Sequence, residues 1–487
     1  MTIETWTPAR GRPVECDVLI IGSGAGGATT AAALAEAGFD VVVAEEGPWV
    51  EQGSITPFSL EQMERQYRGG GVTVALGRPS IAYTEGRCAG GGTEVNSGLY
   101  RRPPPEVIER WAKGWQIEDF DYGDVETLAR RIETDINVVP LPGRATAPSQ
   151  LLVDGSQRLG WACDESPRWM RYSSSEATSG RRQSMTETYL PRAHIAGARL
   201  LIGCRIKKLN IVGRRAISAS ALLGDETPCT IRFRHVFVCA GAIHSPALLQ
   251  RSGIRRNIGQ RLAVHPTVKL AARFPEVVNV SDDVPVHQVK EFAPDLSFGG
   301  SASQPGLIAL ALVDQWSDFS SVVTDWRNMA VYYAAITSHG HGRVVSVPGM
   351  RDPLVSYHLT SRDRSLLASG LARLALVMLE AGATDVFPSF RGAPVVRNRR
   401  DLADLGRMFV ASRASVMTVH LCSTVPMGED RDRCAVDSSG LVHDLENVYV
   451  NDASVLPDAP GVNPQGSVMA VALRNALRFV HTHRTHG

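Results

Sequence analysis

A glycine turn between an apolar strand and a small-residue helix limits the start of this chain to one kind of fold. The apolar run spans residues 16–21, the helical pattern spans residues 28–38, and between them stand Gly22, Gly24 and Gly27. In such a turn the first glycine makes the bend, the second lets backbone approach a pyrophosphate, and the third lets helix and strand pack closely. The free N–H groups at the helix N-terminus favour the phosphates. The pattern predicts a Rossmann-like unit that binds a dinucleotide.

An acidic residue stands where such a unit needs a ribose ligand. The second apolar strand, residues 40–45, ends in Glu45, 18 residues after Gly27. A carboxylate at this position can accept hydrogen bonds from ribose hydroxyls. A glycine pattern alone is weak, but strand, helix and terminal acid in register make a purely structural turn the less favoured interpretation.

Two further segments select a flavin over a nicotinamide cofactor. Residues 86–98 form a second glycine loop, which a plain nicotinamide-binding unit does not need. A flavin needs such a loop, because its ring system must be reached by backbone. Residues 236–253 read as a buried strand, a small-residue turn and a helix that ends at a glycine. Together these segments predict FAD.

Two polar residues late in the chain each stand in a turn bounded by glycine and proline. His420 precedes Leu-Cys-Ser-Thr-Val-Pro-Met-Gly, and Asn463 lies in the turn Gly-Val-Asn-Pro. Taken singly, a buried histidine and a turn asparagine are the simpler interpretations. Above a bound flavin, however, a neutral imidazole can take a hydroxyl proton and an amide can hold the resulting alkoxide. The flavin motifs favour this second interpretation.

In their order, these motifs resemble those of the glucose–methanol–choline (GMC) family of FAD-dependent oxidoreductases. The matches are the turn at Gly22, the Gly-Gly-Gly-Thr-x-x-Asn loop ending at Asn96, the stretch 241–254, the segment 257–266, and the His420/Asn463 pair. They are spread over most of the chain, which makes a chance resemblance very improbable.

The resemblance implies a role for each site residue. Flavin N5 accepts a hydride from the alcohol carbon, His420 removes the hydroxyl proton, and Asn463, which cannot be a base, hydrogen-bonds the substrate oxygen. In the family a residue following a strand touches the adenine through its backbone, which points here to Ile206. The implied cofactor-binding residues are Gly22, Gly24, Ala25, Gly27, Glu45, Gly91, Gly92, Thr93, Asn96, Ile206, Ala240, Gly241, Asp452, Ala453, Asn463 and Pro464.

The mode of FAD attachment follows from the absence of early histidines. Some family members bind FAD covalently through a histidine near the second glycine loop, but this chain has no histidine before His194. Cys88, in that loop, fits a buried packing role. Non-covalent FAD is therefore expected. A further histidine, His265, is interpreted as structural and remote from the His420/Asn463 pair.

The chain is long enough for two hydrophobic cores, because its 487 residues exceed the size at which a single core stops growing. The expected fold class is α/β (α+β overall), with a Rossmann-like FAD-binding domain interleaved with an antiparallel-sheet-plus-helices substrate domain. Residues 14–115, 184–265 and 411–487 are assigned to the FAD-binding domain. Residues 116–183 and 266–410, which contain alternating strands and an apolar helix, are assigned to the substrate domain.

Composition argues against several kinds of partner. Lys and Arg total 51 against 50 Asp and Glu, which gives no reason to expect nucleic acid. No apolar run reaches the roughly 18–20 residues of a membrane span, and residues 1–10 lack the layout of an export signal. The eight cysteines show no metal-ligand spacing. A cytoplasmic protein without metal is expected, with a small-molecule alcohol and O2 or another electron acceptor as partners and an oligomeric state left open.

The substrate is the least determined part of the prediction. Segment 342–383 and the turn 461–464 look nearest to the long-chain alcohol oxidase and sterol oxidase-like branch, which favours a long-chain or largely apolar alcohol. The chain is shorter than the plant long-chain enzymes, so a sugar, aminocyclitol or other polar alcohol stays open. A lyase of the same fold, in which the flavin does no net redox work, also stays open because such lyases use a histidine base as well.

Overall fold

A computed structural model describes residues 6–8, 12–174, 180–224, 226–279 and 285–484 of the protein. Residues 1–5, 9 and 10, which are part of the segment expected to lack an export signal, lie outside the described residues. The strands are β1 (Val14–Ile21), β2 (Val41–Glu45), β3 (Thr73–Ala75), β4 (Ile81–Tyr83), β5 (Val138–Val139), β6 (Cys163–Glu165), β7 (Arg168–Tyr172), β8 (Gly180–Arg182), β9 (Arg199–Ile202), β10 (Arg205–Val212), β11 (Arg215–Leu222), β12 (Pro228–Val238), β13 (Ala263–Val264), β14 (Thr267–Arg273), β15 (His287–Val289), β16 (Leu296–Ser301), β17 (Met329–Ile336), β18 (His341–Val345), β19 (Leu354–His358), β20 (Asp385–Pro388), β21 (Val416–Thr418), β22 (Leu421–Cys422) and β23 (Val448–Val450).

The α-helices are α1 (Ala25–Glu36), α2 (Leu60–Gln66), α3 (Gly92–Val95), α4 (Pro105–Gly114), α5 (Tyr122–Asp135), α6 (Ala147–Arg158), α7 (Tyr189–Ile195), α8 (Gly241–Arg251), α9 (Pro305–Ala311), α10 (Trp316–Phe319), α11 (Ser361–Glu380), α12 (Asp401–Met408) and α13 (Gln465–Arg484). No helix in the described part of the chain is long and apolar enough to cross a membrane. Nor do the described residues bring three His, Cys, Asp or Glu side chains together as a metal site requires.

The first large sheet carries the glycine turn. Its strands follow the order β10-β11-β12-β1-β2-β9, with β23 also paired to β12. β1 runs parallel to both β12 and β2, and β2 is buried along its whole length, as expected for parallel strands covered on both faces. α1 packs against α7 and α13, and α13 packs against α5. The predicted Rossmann-like unit is confirmed.

The second large sheet is built mainly from antiparallel strands. Its order is β3-β4-β21-β14-β17-β16-β15-β6, with β20 also paired to β14. α11 packs against β14, β16 and β17 of this sheet. A capping box begins the helix, because the Thr360 hydroxyl accepts from the Asp363 N–H and the Asp363 carboxylate accepts from the Thr360 N–H. The mixed α/β architecture predicted from the sequence, with helices on an antiparallel sheet, is confirmed.

The elements divide between the two sheets differently from the expected domain boundaries. β3, β4 and β21 fall in ranges assigned to the FAD-binding domain, yet they pair within the second sheet. α5 falls in a range assigned to the substrate domain, yet it packs against α13 of the first unit. Strands of three residues carry too little periodicity to show which sheet they join. An amphipathic helix, likewise, shows that it has a buried face but not what covers it.

Candidate active site

A cavity of about 1680 Å³ lies between the two large sheets. This volume exceeds the roughly 300–1,000 Å³ of a pocket for one drug-sized molecule, so there is room for a dinucleotide and a substrate. The cavity is lined by His420, Asn463, Gly22, Gly24, Ala25, Glu45, Gly91, Gly92, Thr93, Asn96, Ile206, Ala240, Gly241, Asp452, Ala453 and Pro464. The structure thus brings these site residues around one space.

Gly27 is the exception, because it does not line the cavity. A Cβ added to Gly27 would lie 2.0 Å from the carbonyl oxygen of Gly22. Gly27 therefore acts by letting α1 pack tightly under the turn, as the spacing of the glycines suggested. Its contact with the cofactor, which the resemblance implied, stays a prediction.

The glycine turn fits a pyrophosphate. Gly22 has a φ of +99°, and a Cβ there would lie 2.3 Å from the Cys239 carbonyl oxygen. At Gly24 the position of a Cβ has no atom within 4 Å, so open space adjoins the backbone. Gly24 is also the N-cap of α1, and no side chain caps this helix. Its first N–H groups therefore remain available to an anion.

Glu45 is held in place by the glycine turn that it adjoins. Its carboxylate is buried and accepts hydrogen bonds from the Ser23 N–H (3.1 Å), the Ser23 hydroxyl (2.6 Å) and the Gly47 N–H (2.7 Å). Burial raises the pKa of Glu45, although these three donors oppose that shift. A carboxylate offers about four acceptor positions, so one remains for a ribose hydroxyl.

The second glycine loop lies directly against the first. A Cβ on Gly91 would lie 3.1 Å from the Cα of Gly24, and the Gly90 N–H donates to the Ser23 hydroxyl (3.1 Å). Asn96 connects this loop to the start of α13, because its amide donates to the Gln465 side-chain oxygen (2.9 Å). The two loops thus form one continuous backbone surface, as a flavin requires.

The third cofactor segment is organised by a buried carboxylate. Asp452 accepts hydrogen bonds from the Gly241 N–H (2.8 Å) and from the hydroxyls of Ser245 and Ser454. These bonds tie the start of α8 to the turn that follows β23. Asp452 therefore fixes the shape of the cavity wall that Ala240 and Ala453 complete.

A cluster of charges that sequence reasoning missed lies at the nucleotide end of the cavity. Glu46 accepts from Arg87 (2.7 Å) and Arg351 (2.9 Å) and forms an ion pair with Arg68. Burial raises the pKa of Glu46, but these three cations together hold it below its usual range. The partners lie up to 305 positions away, so no local pattern could reveal them. Ile206 lies within β10, an edge strand of the first sheet, and lines the cavity.

His420 is positioned by a short pair of antiparallel strands. β13 pairs with β22, with Val264 opposite Leu421. Continuing this register places His265 directly opposite His420. Their rings are nearly perpendicular, and the two Nδ1 atoms lie 2.9 Å apart in a hydrogen bond. The interpretation of His265 as remote from His420 is therefore wrong, because the contact forms through strand pairing across 155 positions.

The hydrogen bonds around His265 determine which ring nitrogens carry protons. The Gly461 N–H donates to His265 Nε2 (3.2 Å), so this nitrogen has no proton. Neutral His265 then carries its proton on Nδ1 and donates to His420 Nδ1. His420 in turn carries its proton on Nε2, the nitrogen left to the cavity. The resting site therefore presents an N–H donor to a substrate.

Both histidines are held neutral. Burial, and after it the positive charge of Lys290, lowers the pKa of His420 to about 4. Burial, then His420 and Lys290, lowers the pKa of His265 well below its ordinary value. An imidazole that stays neutral at neutral pH is what proton transfer from an alcohol requires.

The Asn463 amide is oriented by a chain of side chains that begins at an arginine. Arg101 can only donate and points its Nε at the Gln288 side-chain oxygen (3.4 Å). The Gln288 amide nitrogen therefore faces the Asn463 oxygen, to which it donates (3.2 Å). The Asn463 NH2 group is left to donate elsewhere, which suits a hydrogen bond to a substrate oxygen. Sequence reasoning identified Asn463 but neither of the residues that orient it.

Comparisons with known proteins show the family of this chain. The sequence profile of the GMC oxidoreductase family matches residues 63–267 and 339–472, and that of an FAD binding domain matches residues 17–59. An uncharacterized GMC-type oxidoreductase of Sinorhizobium fredii is 41% identical over 475 residues, which cover 95% of this chain and 94% of the relative.

More distant relatives include proteins with named activities. A long-chain-alcohol oxidase of Arabidopsis thaliana is 24% identical over 511 residues, which cover 96% of this chain and 69% of the relative. Among solved structures, pyridoxine 4-oxidase from Mesorbium loti has a TM-score of 0.71 at 19% identity and covers 96% of this chain and 99% of its own. The structural likeness shows the shared fold.

Proposed function

Because this chain belongs to the GMC oxidoreductase family and is an FAD-dependent oxidoreductase acting on alcohol-type donors, we propose that it oxidises the CH–OH group of an alcohol to an aldehyde or ketone. His420 handles the hydroxyl proton, and Asn463 holds the substrate oxygen. The observation that carries this proposal is the contact between His265 and His420 at the cavity, linked through Gly461 to the turn that contains Asn463.

When bound, FAD accepts the hydride that leaves the alcohol carbon. The hydroxyl proton must leave at about the same time, because the pKa of an alcohol lies far above 7. His420 Nε2 accepts this proton in a second arrangement of the histidine pair, in which His420 Nδ1–H donates to His265 Nδ1. Asn463 NH2 donates to the oxygen as negative charge develops there.

Switching the histidine pair to the second arrangement costs less free energy than a general base removes from the reaction barrier. Gly461 N–H loses its acceptor, at about 1–3 kcal/mol for a buried group. General-base catalysis typically contributes about 10²–10⁴-fold, equivalent to roughly 3–5 kcal/mol. Use of His420 as a base therefore lowers the reaction barrier on balance, although the resting site favours the arrangement in which His420 Nε2 carries a proton.

The proposal is tested by adding a panel of primary and secondary alcohols to the purified holoenzyme without oxygen. At least one alcohol should bleach the flavin absorbance, and the product should be the aldehyde or ketone. Admitting air afterwards shows whether O2 is the electron acceptor. Cleavage of a cyanohydrin with no bleaching by any alcohol would instead support the lyase.

The pH dependence of bleaching distinguishes the two arrangements of the histidine pair. Because burial and Lys290 lower the pKa of His420 to about 4, the second-order rate of flavin reduction should stay level as pH falls below 6.5. It should decline only as pH approaches about 4, where the imidazole becomes protonated. Stopped-flow absorbance across the pH range measures this. A rate that instead rises about tenfold per pH unit into alkaline solution would mean that hydroxide removes the proton and His420 only donates.

FAD should be released by denaturation, because we propose that it is bound without a covalent link. Burial raises the pKa of Cys88 well above its ordinary value, which leaves little reactive thiolate in the second glycine loop. Acid precipitation of the yellow protein should leave FAD in the supernatant, as measured by its absorbance. Flavin that stays with the pellet would show a covalent bond.

Two substrate classes draw support from different observations. A long-chain or largely apolar alcohol is favoured by the likeness to long-chain-alcohol oxidases, and Leu307 and Leu310 give the cavity an apolar portion. A polar alcohol is favoured by the wall that holds Asn463, where Gln288 and Tyr333 form a hydrogen-bonded chain. Comparing bleaching rates for decanol and glycerol under identical conditions separates the two classes.

A further inference from the structure

An unpaired cation lies on the wall of the cavity. Lys269, on β14, lines the cavity, and its ammonium group donates to the Ser301 hydroxyl at 3.4 Å. Within the described part of the chain, no carboxylate forms an ion pair with Lys269. Burial lowers the pKa of Lys269 to about 8, so the side chain is still mostly charged at neutral pH. Lys269 is half-buried at the cavity, and one hydroxyl at 3.4 Å leaves most of the hydrogen-bonding capacity of its ammonium group open to a ligand.

Lys269 belongs to the same wall as Asn463. In the β14–β17 ladder Lys269 stands opposite Tyr333. The Gln288 amide donates both to the Tyr333 hydroxyl (3.0 Å) and to Asn463 (3.2 Å). A substrate whose hydroxyl is held by Asn463 therefore extends along a surface that leads to Lys269.

The geometry of the chain from His265 to Lys269 gives the distance between the two ends of this surface. His265, which contacts His420, and Lys269 are four residues apart along nearly extended chain, or about 13 Å at 3.3 Å per residue. Side chains two apart point to the same face of a strand, and Thr267 between them also lines the cavity. The reacting end and the cation are therefore separated by the length of a short molecule, not by the width of one functional group.

Two further cations lie near the residues that surround this wall. Arg101 contacts Gln288, and one of its guanidinium nitrogens is buried without a hydrogen-bond partner. Lys290 lies close enough to lower the pKa of both active-site histidines. Neither cation lines the cavity or shifts the pKa of Lys269, so Lys269 is the cation that faces a ligand at this wall.

Two other roles for Lys269 fit the structure less well. The phosphates of a dinucleotide belong at the start of α1 on the first sheet, whereas Lys269 is on the second sheet. A purely structural bond between β14 and β16 is unnecessary, because β17 already pairs with both strands.

We propose that Lys269, with Ser301 and Tyr333, binds a carboxylate of the substrate, so that the preferred substrate is a hydroxy acid. This inference rests on the proposed alcohol oxidation. It assigns the polar wall to both ends of the substrate, the hydroxyl at Asn463 and the carboxylate at Lys269.

The test compares ω-hydroxy acids of increasing length with their neutral primary amides. The measurement is kcat/KM for anaerobic flavin reduction by the holoenzyme. The acid should be preferred over the matched amide by about 10–100-fold, the scale of one charge-assisted hydrogen bond, and the preference should peak at one chain length. Equal rates for acid and amide at every length would overturn the inference.

Variants of Lys269 show whether this residue causes the preference for the acid. In Lys269→Met the acid-to-amide ratio should fall by about 10–100-fold, and Lys269→Arg should restore much of it. Lys113→Met, on the exposed face of α4, is the matched control and should keep the parental ratio. An equal loss for acid and amide in Lys269→Met would mean that Lys269 serves the reaction and not the anion.

A binding measurement without turnover separates this inference from the proposed function. Alkanoates without a hydroxyl should perturb the absorbance of oxidised flavin in a saturable way in the parent protein. In Lys269→Met the dissociation constant should rise by about 10–100-fold. If no alcohol bleaches the flavin but this binding persists, the anion site stands and alcohol oxidation fails. Unchanged binding in Lys269→Met would overturn the proposed anion site and leave the proposed alcohol oxidation standing.

Discussion

His420→Ala is expected to reduce the rate of flavin reduction by alcohol by about 10²–10⁴-fold while leaving bound FAD and the fold intact. The loss is large because His420 is the group placed to take the hydroxyl proton, and its ring is already oriented by His265. The measurement is the anaerobic rate of bleaching at saturating alcohol, by stopped flow. FAD content and circular dichroism establish that the protein is otherwise unchanged.

Variants of Asn463 provide the comparison for His420→Ala. Asn463→Ala should cost less, about 10–100-fold, on the scale of one hydrogen bond to developing oxyanion charge. Asn463→His is expected to keep some activity, because an imidazole N–H can also donate to the substrate oxygen. If His420→Ala bleached within about threefold of the parent, a group other than His420 would be the base.

Glu45→Arg is expected to abolish FAD retention. The carboxylate is buried and joined by three hydrogen bonds to Ser23 and Gly47. Arginine would replace an acceptor with a bulky cation that faces N–H donors, and a buried unpaired charge is costly. The measurement is the ratio of flavin to protein absorbance after purification and dialysis against FAD.

Controls separate loss of the ribose ligand from collapse of the turn. Glu45→Gln keeps the shape and one acceptor oxygen, so it should retain part of the FAD. Glu109→Arg, an exposed acid on α4, makes the same charge change away from the cavity and should retain all of it. A full complement of FAD in Glu45→Arg would show that this carboxylate does not hold the ribose.

The parts of the site that the sequence predicted are those encoded by local patterns. Gly22, Gly24 and Glu45 fall within one strand–turn–helix–strand segment, so spacing alone relates them. The contact between His265 and His420 depends on β13 and β22, strands of two residues each, and such short strands leave no periodic signal. Lys269 and Tyr333 meet only because β14 and β17 pair in one register, which the pattern of either strand does not specify.

The interleaving of the two sheets has a consequence for how the protein is made. β1 is parallel to β12, β12 is parallel to β23, and α13 packs on α1, so the nucleotide-binding unit needs partners from both ends of the described chain. A ribosome delivers residues 14–45 long before residues 448–484. The apolar strands β1 and β2 therefore wait with unpaired edges, a state prone to aggregation. FAD accordingly has a finished site to enter only after residues 448–484 have been made, long after its glycine turn.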